Sequence, residues 1–212
     1  MKLRLAALLA LTMLSACRHR GDIVDESSGV YAVRSACPIA GVPAGTGDIT
    51  LFNPSTSTDS RAIDVTAAIT DVRGVCQESS NDVVSTVTFT IVALRQDPGA
   101  ARQVLLPYFD VALRGGATVA AKRIGQAVLN FAPGDIHAWT RVQAVVRVNR
   151  GAATLPESAR LALTRERKPG ETEAAIDPLA DPAVRAAVAN ATFEHLVGFQ
   201  LTQDQLKYNA TR

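Results

Sequence analysis

The sequence predicts a mainly β protein: an antiparallel β-sandwich of about seven strands with a short helical appendage at its C-terminus. Three observations carry this expectation. Apolar and polar residues alternate with period two through the middle of the chain, turn residues interrupt the alternation at short intervals, and helix-start signals are confined to the C-terminal end. The strand signal is clearest where Ile63, Val65, Ala67 and Ile69 alternate with Asp64, Thr66, Ala68 and Thr70. It recurs where Val87, Phe89, Ile91 and Ala93 alternate with Thr86, Thr88 and Thr90.

The elements follow in order. Lys2 and Arg4 precede an uncharged apolar run, Leu5 to Leu14. The run fits the central region of a secretory signal and is too short for a bilayer, which needs roughly 20 apolar residues. It ends in Leu14-Ser15-Ala16-Cys17, which resembles the lipobox of bacterial lipoproteins. The resemblance implies that residues 1–16 are a signal peptide removed by a dedicated peptidase and that the Cys17 thiol receives a diacylglycerol. Acyl chains, at roughly 0.8 kcal/mol per buried methylene, would then hold the chain on a membrane. In the enteric sorting rule an aspartate after the cysteine retains a lipoprotein in the inner membrane. Arg18 stands there instead, so the resemblance implies an outer-membrane location facing the periplasm.

Residues 17–35 are polar and glycine-containing and read as a flexible tether. The sandwich is expected over 36–168. Its further strand candidates are Asp48 to Asn53, Val104 to Arg114, Thr118 to Phe131, His137 to Asn149 and Arg160 to Arg165. Turn signals at Asn53-Pro54, Asp97-Pro98-Gly99, Gly115-Gly116, Pro133-Gly134 and Asn149-Arg150-Gly151 separate them. The stretch Phe131-Ala132-Pro133-Gly134-Asp135-Ile136-His137-Ala138-Trp139 resembles the corner between the fifth and sixth strands of fibronectin type III and related immunoglobulin-like domains. That likeness makes the expected sandwich immunoglobulin-like, with His137 in the place of the tyrosine whose hydrogen bond defines the corner.

The last section, 169–212, reads as a linker and a helical tail. Asp181-Pro182 supplies an N-cap and a first-turn proline. Val184, Val188, Ala191 and His195 then fall on one face of a helix that Gly198 would end. Thr202 and Gln205 match a capping box, with Leu201 and Leu206 as its hydrophobic staple, and a second helix is expected from Gln203 to about Asn209.

The chain carries 22 basic and 20 acidic residues. The excess lies in Lys2 and Arg4 of the leader, so the remainder is close to neutral, which argues against a nucleic-acid partner. Besides Cys17 the cysteines are Cys37 and Cys76. In an oxidising envelope compartment, with no neighbouring Cys or His at metal-ligand spacing, they read as a disulfide.

No Gly-x-Ser-x-Gly elbow, His-Glu-x-x-His pair or phosphate-binding glycine loop occurs. No catalytic residue, metal ligand or cofactor is therefore assigned. The candidate binding residues are His137, His195 and Trp139. His137 reads as a packed strand residue and His195 as a helix-face residue; Trp139, out of phase with Val142, Ala144, Val146 and Val148, either lies on the outer face, buried under the C-terminal helices, or is turned by a bulge that rephases the strand. The basic run Arg160, Arg165, Arg167 and Lys168 reads as a solvated strand face. The function that fits is a membrane-anchored envelope lipoprotein acting as a non-catalytic interaction or assembly module, with an envelope protein as its partner. The alternative is an envelope hydrolase or a glycan- or peptide-binding domain using a cleft near His137 or His195.

Overall fold

The computed structural model describes residues 35–165 and 176–211. The leader, Cys17, nearly all of the expected tether, and Arg167 and Lys168 lie outside the described residues. Among the described residues the chain forms two four-stranded sheets. One runs β1 (Ile39–Gly41), β8 (Phe193–Phe199), β5 (Arg102–Arg114), β6 (Thr118–Phe131). The other runs β2 (Asp48–Phe52), β3 (Ile63–Glu78), β4 (Asp82–Arg95), β7 (His137–Asn149). Neighbouring strands are antiparallel except β1 and β8, which are parallel. The helices are α1 (Glu157–Thr164), α2 (Pro182–Ala191) and α3 (Gln203–Thr211).

The expected alternation sorts the strands into an inner and an outer face. Val87, Phe89 and Ile91 of β4 share one apolar core with Leu106 of β5, Leu129 of β6 and Phe199 of β8. The intervening Thr86, Thr88 and Thr90 stand half-buried on the outer face. The β-sandwich with a short C-terminal helix is therefore the observed architecture.

Cys37 and Cys76 are joined by a disulfide, which ties the segment before β1 to the far half of β3. The bridge closes a loop with a sequence separation of 39, for which the chain-entropy model gives a stabilisation of about 3 to 4 kcal/mol. Cys37→Ser or Cys76→Ser should lower the unfolding free energy by about that amount in urea titration. Free-thiol titration of the unfolded, unreduced chain should leave both cysteines unreactive.

Two expected elements differ. Arg160 to Arg165, read as a strand, lies mostly in helix α1. Its Leu-Ala-Leu alternation is short, and the residues turned inward are Ala159, Ala162 and Leu163, at helical spacing. Alanine, leucine, glutamate and arginine are all strong helix formers, and Glu157 pairs with Arg160 one turn on. The larger difference is at His195. The first tail helix stops at Ala191, and Phe193–Phe199 is an inner strand of the sandwich rather than part of the appendage.

Gly198, read as a helix end, is in the middle of that strand because of a close approach. It pairs with Phe109, and a Cβ on it would stand 2.6 Å from the Phe109 ring and 2.4 Å from Thr46 Oγ1. Tyr108 does the same on the other side of the sheet, lying across its cross-strand partner Gly125 with its ring 2.4 Å from where a Cβ would be. Two successive aromatic residues of β5 thus cover a glycine on each neighbouring strand.

Helix α3 forms where the sequence places it. Thr202 Oγ1 accepts from Gln205 N at 3.2 Å while Gln205 Oε1 accepts from Thr202 N at 2.9 Å, the reciprocal pair of a capping box. The helix docks on the sandwich, but not at Trp139. Tyr208 meets Phe52 of β2 edge to face, and Asn209 Nδ2 donates to the carbonyls of Gly45 and Asp48. Strands β3 and β4 separate β2 from Trp139 on β7, and Trp139 is 70% exposed. Deleting 203–212 should lower the melting temperature by about 4 to 8 °C, for a loss of about 2 kcal/mol. Tryptophan emission should not move, since the ring is already in water; a red shift would contradict this placement.

Candidate functional site

The described residues present two places with chemistry: a polar cluster sealed between the sheets, and a groove on an outer face.

Ser85 of β4, Asp110 of β5 and His195 of β8 point inward at the same level of the sandwich. Ser85 Oγ is 3.0 Å from His195 Nδ1, and His195 Nε2 is 2.9 Å from Asp110 Oδ1. The second carboxylate oxygen, Asp110 Oδ2, accepts from Arg123 of β6 at 2.6 Å, and Arg123 also donates to the Val145 carbonyl of β7. With the carboxylate as acceptor, Nε2 carries a proton, which leaves Nδ1 to accept from the Ser85 hydroxyl in the neutral ring. Burial pushes the Asp110 carboxyl up, but the hydrogen bonds from His195 and Arg123 outweigh it and hold the group below its ordinary value.

The residue types are those of a nucleophile, a base and an orienting acid, but the geometry does not present a nucleophile. His195 is 0% and Ser85 1% exposed, so the hydroxyl faces packed protein, and a nucleophile needs a reacting atom within about 3 Å. What the cluster does is structural. One apolar cluster, with Phe89, Leu106 and Phe199, lies on one side, and a smaller one, with Val148, Ala153 and Phe193, lies on the other. A polar belt divides the core and bridges β4 of one sheet to β5 and β8 of the other. A one-residue slip of β8 would turn His195 outward and leave Asp110 and Ser85 buried without it, so the belt fixes the register.

The groove, of about 330 Å³, lies on the outer face of the β2-β3-β4-β7 sheet. Ala68, Val92 and Leu94 supply apolar lining, and Asp48, Thr66 and His137 polar lining. His137 is exposed, not packed. Trp139 is the cross-strand partner of Val92 and stands beside the groove. The structure thus brings His137 and Trp139 together on one surface and puts His195 elsewhere, in the core.

The corner before His137 has its own fastening. Arg95, 3% exposed, donates to the carbonyls of Asp135, Ala100, Gly99 and Ala132 at 2.7 to 3.1 Å. Its guanidinium lies 5.2 Å from the Phe131 ring centroid. One side chain therefore ties the β4–β5 loop to the β6–β7 loop, where the resemblance placed a hydrogen bond from the residue at His137. Nothing in the local pattern marked Arg95; its position on the inward phase of β4, after Ala93, is the signal that could have singled it out.

Comparison with protein-family models, curated proteins and solved structures found no match to this chain.

Proposed function

We propose that the chain is a lipid-anchored protein of the bacterial envelope whose disulfide-stapled β-sandwich acts as a non-catalytic binding module. The observation that carries the reading is Leu14-Ser15-Ala16-Cys17 at the end of an uncharged apolar run: a thiol at the place where a lipoprotein is cut and acylated. The Cys37–Cys76 disulfide fits the oxidising side of a membrane. Arg18 favours the outer membrane, facing the periplasm. On the module itself, the open outer face around Trp139 is a surface that a partner can reach.

A second reading, a glycan- or peptide-binding domain with its site near His137, is favoured by the groove that His137 lines beside Trp139. It is a refinement of the binding module rather than a rival to it.

Cys17→Ala tests the anchor. Metabolic palmitate labelling and membrane fractionation should both be lost in the variant, since no other thiol stands at the cut site. Labelling equal to the wild type would overturn the proposal.

A further inference from the structure

We propose that the outer face of the β2-β3-β4-β7 sheet binds an extended polysaccharide whose sugars carry carboxylates, with Trp139 as the stacking platform and Arg141 and Arg147 as the anion contacts. The inference rests on the reading of the domain as a binding module and goes beyond it in naming the surface and the ligand class.

The face is shaped for a linear partner. β7 is an edge strand, and Trp139, Arg141, Gln143 and Arg147 are all exposed on its outward phase. At about 3.4 Å per residue, Trp139 to Arg147 spans roughly 27 Å, longer than the groove a single small molecule would fill. Beside it, Thr86, Thr88 and Thr90 of β4 form a column of hydroxyl-bearing side chains about 7 Å apart.

The chemistry is that of a sugar chain. The apolar face of a pyranose packs on an indole, and its hydroxyls need both donors and acceptors. Trp139 offers the ring, and Thr66 and His137 in the groove offer polar partners. Charge decides the class of sugar. Asp110 holds Arg123 and Asp64 holds Arg102, but among the described residues neither Arg141 nor Arg147 makes an ion pair. Two exposed guanidiniums along one strand match carboxylates along a polymer and recognise them by paired hydrogen bonds. A lipid surface fits less well, because pressing the threonine column against hydrocarbon would strip its hydroxyls of water.

Trp139 is the only tryptophan in the chain, so intrinsic fluorescence reads this face directly. The purified full chain in nonionic detergent is titrated with alginate oligosaccharides, dextran oligosaccharides of equal length, and phosphatidylglycerol mixed micelles. Alginate should change the emission saturably, and dextran should not at the same sugar concentration. The double variant Arg141→Gln, Arg147→Gln should weaken alginate binding at least tenfold at an unchanged melting temperature. By calorimetry, Trp139→Ala should weaken it similarly. An unchanged emission, equal response to dextran, full affinity in the double variant, or a response to the micelles alone would each overturn the proposal. Lipidation at Cys17 is read by a different experiment, so the anchor and the ligand class fail separately.

Discussion

Arg95→Met should lower the unfolding free energy by about 4 kcal/mol and the melting temperature by roughly 10 °C. Methionine keeps much of the length of the side chain and its contact with Phe131 but removes every donor. The carbonyls of Ala100 and Asp135 then lose their partner, while those of Gly99 and Ala132 keep only the backbone N–H of Gly134 and of Asp135, and an unsatisfied buried acceptor costs about 1 to 3 kcal/mol before relaxation and water recover part of it. Arg95→Lys should restore less than half of the loss, because a single ammonium has three donors on one atom and cannot reach carbonyls of both loops in the plane that a guanidinium spans. Urea titration of both variants checks the order wild type, lysine, methionine. Equal stability of lysine and arginine would mean that charge, not the fork of donors, holds the corner.

The polar belt carries the second large effect, and it depends on pH. Asp110 is held below its ordinary value in the folded protein. Its contribution is therefore complete above the unfolded carboxylate pKa of about 3.9 and is lost as pH falls through the lower folded value. Asp110→Asn should remove this part of the acid-induced loss of stability, so that its curve falls less steeply than the wild type's below about pH 4. At neutral pH His195→Ala should cost about 4 kcal/mol, since it empties a site with no exposure and leaves Ser85 and one Asp110 oxygen without their partner. Replacing the belt together, with Ser85→Ala, Asp110→Leu and His195→Leu, should recover most of that loss, because well-packed apolar residues replace buried ionic groups at little cost. Stability measured from pH 2 to 8 separates these outcomes. A triple variant as unstable as His195→Ala would mean that the belt contributes through more than its register.

Much of the sandwich was legible because period two is a strong signal when one face is buried. The expected β6 and β7 coincide with Thr118–Phe131 and His137–Asn149, and the capping box at Thr202 and Gln205 formed as written. The misread elements are ones where tertiary contact overrides local pattern. In β8, Phe193, His195, Val197 and Phe199 do alternate, but Gly198 weakens the strand signal. Its fitness for the site depends on Phe109, 89 residues earlier, which no local window contains. β1 has only three residues and pairs with a strand near the other end of the chain. The phase of Trp139 leaves open an outer-face position or a bulge, and its exposure depends on where α3 docks, which Tyr208 and Phe52 decide. Ser85 passed unnoticed because a serine on the inward phase reads as a tolerated small residue until a histidine faces it.

The central claim is that this sandwich is held on a membrane by lipid at Cys17. The most direct measurement is the mass of the N-terminal peptide of the protein extracted from the membranes of a bacterium expressing it. A peptide that begins at Cys17 and carries a thioether-linked diacylglycerol, with no thiol left to alkylate, is the expected result. A peptide that still includes residues 1–16, with Cys17 freely alkylated, would contradict the account.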